Sequence, residues 1–187
     1  YFKELGMDYT LYNPKQSYKL SQIVPTEDDQ IFRKQLVHGY VHDQGAAMMG
    51  GVGGHAGLFS NANDLAKLCQ MYLNGGTYGG TKFLNDTTIK KFTTANHKNN
   101  DNRRGYGFDK PLENLDGGPT SKYVSLASYG HSGFTGTRIW IDPKEELIYI
   151  FLSNRVHPDA ENWKLVRENI RTRIEEIIYR SFKARAS

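Results

Sequence analysis

His131-Ser132-Gly133-Phe134 is the stretch of this sequence whose residue types packing explains least. An imidazole exchanges protons near neutral pH, and a serine hydroxyl can bond or attack. One account is a tight strand start with an exposed histidine; the other is a site. A second cluster is His38, His42, Asp43 and His55. On a helix His38 and His42 would share a face suited to a metal. Gly39 and Gly45 argue against that helix, and no His-Glu-x-x-His supplies an internal base. Packing and loop hydrogen bonds are the better account of His42 and Asp43, so no metal or other cofactor is expected. No serine has a lysine three residues on, the spacing that sets an amine against a hydroxyl across one helical turn. Ser17-Tyr18-Lys19 and Ser181-Phe182-Lys183 are one residue short, and Ser60 and Ser132 have no such lysine. An unactivated serine is a weak nucleophile, so catalysis by this stretch alone is not expected.

The elements that must position His131 read as an antiparallel meander. Tyr129 to Phe134, Thr137 to Ile141 and Leu147 to Ser153 are its strands, rich in β-branched and aromatic residues. Asp142-Pro143-Lys144-Glu145 is the turn between the last two, with proline fixing φ and the aspartate able to bond local amides. The near-continuous apolar run of the third strand predicts cover on both its faces. A helix from about Asn162 carries a stripe of Leu165, Val166, Ile170, Ile174, Ile177, Ile178 and Phe182. Upstream, Asn61 is an N-cap with Asp64 in capping-box position, and Leu65, Leu68, Cys69 and Tyr72 recur at helical spacing. Gly75-Gly76 ends that helix. Asn85 caps a short helix with Ile89 and Phe92. Residues 27–49 read as a long ordered loop with helical turns, and residues 96–104 as a polar loop. The fold class expected is α+β, an antiparallel sheet flanked by helices, in one unit over residues 1–187.

Composition bounds the partners. The 187 residues are 38% hydrophobic and 24% charged, the balance of a globular protein with a real core. The net charge of +4 comes partly from Arg167, Arg171, Arg173, Arg180, Lys183 and Arg185. These fit a solvated helix face rather than a nucleic-acid site, because no aromatic-interleaved basic motif accompanies them. The single Cys69 excludes an intrachain disulfide and a cysteine metal cluster. No apolar run approaches the ~20 residues of a membrane span. Tyr1 in place of an initiator, and no leader segment, lead to the expectation of a piece of a longer protein.

His131-Ser132-Gly133, followed by strand, turn and strand, resembles the third motif of the serine β-lactamase and penicillin-binding-protein superfamily, in its esterase-like, class C-related branch. GGVGGHAGLFSNANDLAKLCQMYLNGG, from Gly50 to Gly76, resembles that branch's loop-and-helix signature. The likeness is collinear from Leu5-Gly6-Met7 to the last helix. It implies a partial β-lactamase/transpeptidase-like fold whose Ser-x-x-Lys and Tyr-x-Asn motifs lie upstream of Tyr1. Tyr72-Leu73-Asn74 matches the second motif literally but falls in a helix well past its place. By the resemblance, His131 stands where the motif has lysine and could bond the serine–tyrosine network or a substrate oxygen. Ser132 is the middle of the motif, Gly133 lets substrate lie along the strand, and the Phe134 N–H is an oxyanion donor. His55, Gly57 and Leu58 are expected at the substrate cleft.

Histidine is neutral over much of the range near pH 7, so an uncharged ester or amide becomes a plausible substrate alongside the carboxylated ones. Two function classes follow: the C-terminal part of a bacterial serine hydrolase acting on a small-molecule or cell-wall-derived ester or amide, or a non-catalytic module. GHAGLFS, NRRGYGF and FTGTRIWIDP resemble the β-lactamase-like modules that follow glycoside hydrolase family 3 domains, including β-N-acetylglucosaminidases. Family habit implies an extracytoplasmic setting. The family's last strand pairs with an N-terminal strand, so the missing N-terminal half is an expected partner. Without it, self-association through the exposed sheet edge is expected.

Overall fold

The computed structural model describes residues 1–96 and 102–184. Most of the polar loop read at 96–104 therefore lies outside the described residues, as does Arg185. In chain order the elements are β1 (Leu11–Tyr12), β2 (Pro25–Asp29), β3 (Gln35–His38), α1 (Gln44–Met48), β4 (Leu58–Phe59) and α2 (Ala62–Leu73). Then come β5 (Thr77–Tyr78), β6 (Thr81–Lys82), α3 (Asp86–Thr93), β7 (Tyr129–Ser132), β8 (Arg138–Asp142), β9 (Leu147–Phe151), α4 (Lys164–Arg167) and α5 (Ile170–Lys183). The α+β class expected from the sequence is the class observed.

The meander β7-β8-β9 forms as its residue types demand, with His131 opposite Ile139 and Trp140 opposite Tyr149. Period-2 alternation sorts its side chains into two faces. Tyr129, Ile139, Ile141, Ile148 and Ile150 pack with Cys69, Tyr72 and Leu73 of α2. Trp140, Leu147, Tyr149 and Phe151 pack with Ile174, Ile178 and Tyr179 of α5. Both faces of β9 are covered, which explains its unbroken apolar run. Its outer edge pairs with no strand among the described residues. At the turn after β8, Asp142 accepts from the Lys144 amide at 3.1 Å, the local bond that the sequence suggested. The same carboxylate also receives the Ser125 amide at 2.7 Å and the Tyr179 hydroxyl at 2.8 Å, tying turn, loop and helix together.

The C-terminal helix departs from the expected one in two ways. It is broken: α4 and α5 are separated at Asn169, whose φ of 50° ends one helix and starts the next. Asparagine tolerates that left-handed region better than most residues. The apolar stripe is also shifted. Ile174 and Ile178 reach the sheet, but Ile177 and Phe182 are exposed, and the buried positions are Glu175 and Tyr179. Glu175 is fully buried because it meets Arg138 of β8, Nη2 lying 3.0 Å from each carboxylate oxygen, and accepts from the Ser121 amide at 2.7 Å. A hydrophobic pattern cannot reveal a helix position that is buried by an ion pair.

Residues 27–49 are also more structured than expected. The polar segment Pro25–Asp29 is a strand paired with β3. It holds because Arg33 bridges the carboxylates of Glu27 and Asp29 and donates to the Val41 and His42 carbonyls. Asp43 caps α1, accepting from the Ala46 amide at 2.7 Å. In α2, Asn61 caps as expected, accepting from the Asp64 amide at 2.8 Å. Asp64 does not close the box; its buried carboxylate accepts from the Tyr9 amide and the Thr10 hydroxyl instead. Gly75 and Gly76, both with positive φ, end the helix.

Candidate functional site

His131 and Ser132 lie at the end of β7, the edge of the sheet opposite β9. Gly130 exchanges hydrogen bonds with Asp109 at 2.7 and 3.1 Å, on the side of β7 away from β8. Ladder alternation turns the peptide groups of Ser132 to that same outer side, one step beyond the part Asp109 covers. Beside it is a cavity of about 220 Å³ whose lining includes Arg104, Asp109, His131, Ser132, Arg138 and Arg171. The exposed His131 ring has Nδ1 2.9 Å from the Ser132 carbonyl and Nε2 3.4 Å from Arg104 Nη1. The side chain of Ser132 opens on the opposite face of the sheet, level with Arg138.

The turn after the motif is held tightly. Gly133 donates to the Thr137 carbonyl at 2.8 Å and accepts from the Gly136 amide at 3.1 Å. Gly136 has φ of 111°, where a side chain is strained. A Cβ on Gly133 would strike the Thr137 hydroxyl, so this glycine has a packing reason as well as an expected functional one. With the Gly133 carbonyl engaged by Gly136, the trans peptide points the Phe134 N–H the other way. Among the described residues no acceptor meets that N–H. The Phe134 ring stacks on His42 with centroids 5.3 Å apart and stands edge-on to Trp163. The Arg155 guanidinium lies 4.4 Å from the Phe134 ring and 3.7 Å from the Trp163 ring, and its Nε donates to the Phe134 carbonyl at 2.9 Å. Arg171 Nη1 donates to the Thr137 carbonyl at 3.1 Å.

The histidines weighed as metal ligands are dispersed. His38 Nε2 is 2.6 Å from the Ile23 carbonyl. His42 Nδ1 lies 2.9 Å from Glu27 Oε1 without forming a hydrogen bond. His55 Nε2 lies 3.0 Å from Asp43 Oδ1. The Ala46 amide and then His55 hold the Asp43 carboxyl below the usual carboxylate range. Among the described residues no group of three or more His, Cys, Asp or Glu is arranged for a metal.

His55 and Gly57 occupy the loop between α1 and β4 and Leu58 opens β4, with His55 and Leu58 exposed and Gly57 at φ 112°. Leu58 pairs with Tyr12 of β1. None of the three lines the cavity beside His131. Sequence reasoning did not single out Arg104, Asp109, Arg138 or Arg171 for the site. They come from a loop, a β-bridge, a strand and a helix, and no local spacing joins them.

The family model described as Beta-lactamase matches residues 5–170. A protein of Escherichia coli K12 named "Putative D-alanyl-D-alanine carboxypeptidase" is 39% identical over 171 residues, covering 83% of this chain and 38% of its own length. A protein of the same name from Salmonella enteritidis is 38% identical over 179 residues, covering 88% and 40%. The chain thus spans about two fifths of the length of these relatives. A crystal structure of a β-lactamase from Mycobacterium bovis superposes on 66% of this chain and 46% of that one, with a TM-score of 0.48 and 21% identity. With a family match running through the meander and the His131 strand, this chain belongs to the β-lactamase family.

Proposed function

We propose that this chain is the third-motif part of a serine hydrolase that cleaves a small or cell-wall-derived ester or amide through an acyl-serine. The observation that carries this reading is the His131-Ser132-Gly133 strand end: it lies on a free sheet edge, opens on a cavity, and falls inside the family match. The nucleophilic serine, its lysine and the tyrosine are supplied by sequence preceding Tyr1. In this arrangement His131 presents a ring nitrogen to the reacting groups. The Phe134 N–H, turned away from the Gly133 carbonyl, stabilises the oxyanion as charge develops. The segment bearing His55, Gly57 and Leu58 borders the substrate cleft once the remaining sequence is in place. The names of the relatives support a peptide ending in D-alanyl-D-alanine as the substrate class; an extracytoplasmic setting is part of this reading.

Labelling with a fluorophosphonate tests the proposal. The longer protein should take one adduct on a serine preceding Tyr1, and residues 1–187 alone should take none by intact mass. An adduct within residues 1–187 overturns the placement of the nucleophile. No adduct on the longer protein favours the non-catalytic module of the glycoside hydrolase family 3 kind. The open outer edge of β9 supports self-pairing of the isolated chain. A monomer by light scattering at high concentration contradicts that part.

A further inference from the structure

We propose that Arg155 is a positioning residue of this site: its guanidinium fixes the main chain at Phe134, so that the Phe134 N–H is already aimed when oxyanion charge develops. The inference rests on the hydrolase reading above and adds the side chain that holds its oxyanion donor in place. Phe134 itself is 58% exposed, so burial does little to hold it. The peptide that carries its N–H is fixed where the Gly133 carbonyl takes the Gly136 amide at 3.1 Å. The next peptide is fixed by Arg155, whose Nε donates to the Phe134 carbonyl at 2.9 Å. The Arg155 amide also donates to the Thr135 carbonyl at 2.8 Å. Both peptide planes that meet at the Phe134 Cα are therefore bonded, which holds the two soft torsions of that residue. The ring is held by the same side chain, with the guanidinium carbon 4.4 Å from its centroid.

Arg155 is placed to hold Phe134 rather than to touch substrate. It is buried, on the loop that follows β9. Its guanidinium carbon lies 3.7 Å from the Trp163 ring, and Nη1 donates to the Ala160 and Asn162 carbonyls at 2.8 and 3.1 Å. The loop is anchored in turn, because Asn154 Nδ2 donates to the Pro25 and Thr26 carbonyls of β2 at 2.6 and 2.9 Å. A planar guanidinium can set Nε and Nη1 on carbonyls of two different segments at once, which the point charge of a lysine cannot. Nη2 is buried with no hydrogen-bond partner among the described residues. A buried donor left unpaired costs stability, and an aliphatic side chain would avoid that cost. What the arginine adds is a bond to the carbonyl of the residue whose N–H is the oxyanion donor.

The test uses the longer protein and an ester that it cleaves. Arg155→Met keeps the stem of the side chain, removes every side-chain donor and leaves the amide bond to Thr135 intact. With kcat counted per serine that a fluorophosphonate labels at completion, Arg155→Met should lower kcat roughly 10- to 10²-fold, the scale of a misplaced oxyanion donor. KM should stay within about twofold, because the donor acts on charge that develops in the transition state. An aryl boronic acid, whose serine adduct is tetrahedral and anionic, should lose affinity by the same factor as kcat. Should Arg155→Met fail to fold, Arg155→Lys carries the same test, because it keeps the charge and lacks the planar fork. Unchanged kcat, or a loss borne by KM with boronate affinity intact, overturns the proposal. If the unmutated protein cleaves no ester and takes no fluorophosphonate, the hydrolase reading fails, and crystal structures of the unmutated and substituted proteins still decide what Arg155 does. A Phe134 N–H that turns from its place in the variant upholds the positioning role, and an unmoved one overturns it.

Discussion

Replacing Glu175 by alanine removes the counter-charge of an arginine that has nowhere else to go. Both side chains are within 2% of complete burial. Glu175 takes Arg138 Nη2 on both oxygens at 3.0 Å and the Ser121 amide at 2.7 Å. Burial pushes the Glu175 carboxyl up, and Arg138 with the Ser121 amide pulls back toward the charged form. With Glu175 gone, Arg138 keeps the Pro119 carbonyl and the face of Trp140, but no anion. Breaking a buried pair from one side costs about 3–5 kcal/mol, and the orphaned Ser121 amide adds about 1 kcal/mol at the low end of its range. The sum, about 4–6 kcal/mol, approaches the whole stability of many domains. Urea unfolding should show a midpoint lower by roughly 2–3 M for a slope near 2 kcal/mol per M. Replacing both partners, Arg138→Met with Glu175→Leu, removes the charge problem and should recover most of that loss. A single variant losing under about 1 kcal/mol, or a double variant as unstable as the single, would refute this account of the pair.

Three further outcomes follow from the same structure. Ile174→Ala should cost about 2 kcal/mol because Ile174 packs on the Trp140–Tyr149–Tyr179 cluster, while Ile177→Ala, 62% exposed, should stay within about 0.5 kcal/mol; chemical denaturation checks both. Burial raises the Asp29 carboxyl, but Arg33 and the amides of Phe32, Arg33 and Ile31 outweigh it and hold Asp29 well below the usual carboxylate range. Its contribution is therefore complete above the unfolded value near ~4 and disappears as pH falls through the lower folded one; Asp29→Asn should destabilise at pH 7 and converge with the unmutated chain in strong acid. Burial pushes the Cys69 thiol up to about 12, so it should resist a disulfide reagent at pH 8 in the folded chain and react fully in denaturant.

What was legible in the sequence was whatever period and residue type decide locally. The meander is there in its β-branched and aromatic runs, its Asp142-Pro143 turn and its glycine-bearing motif. The α2 cap at Asn61 and the apolar face through Cys69 and Tyr72 could also be read directly. What escaped depends on partners distant in sequence. Pro25–Asp29 reads as a polar loop until Arg33 neutralises its carboxylates. Glu175 and Asp64 look like solvated helix positions and are nearly fully buried, because Arg138 in one case and Thr10 with the Tyr9 amide in the other meet them from far along the chain. His131 could be singled out from its motif, whereas Arg104 beside it, 27 residues earlier, could not. Site chemistry of this kind is assembled by the fold and leaves no spacing to read.

The claim on which the rest depends is that the His131 strand end faces the reacting bond. His131→Ala in the longer protein, assayed on an ester that the unmutated protein cleaves, tests it most directly. The account predicts kcat/KM lower by roughly 10²-fold, the scale of a lost proton-transfer or polarising group, with the urea midpoint unchanged because the ring is exposed. Unchanged ester turnover in a folded His131→Ala protein would contradict it and leave the motif a structural turn.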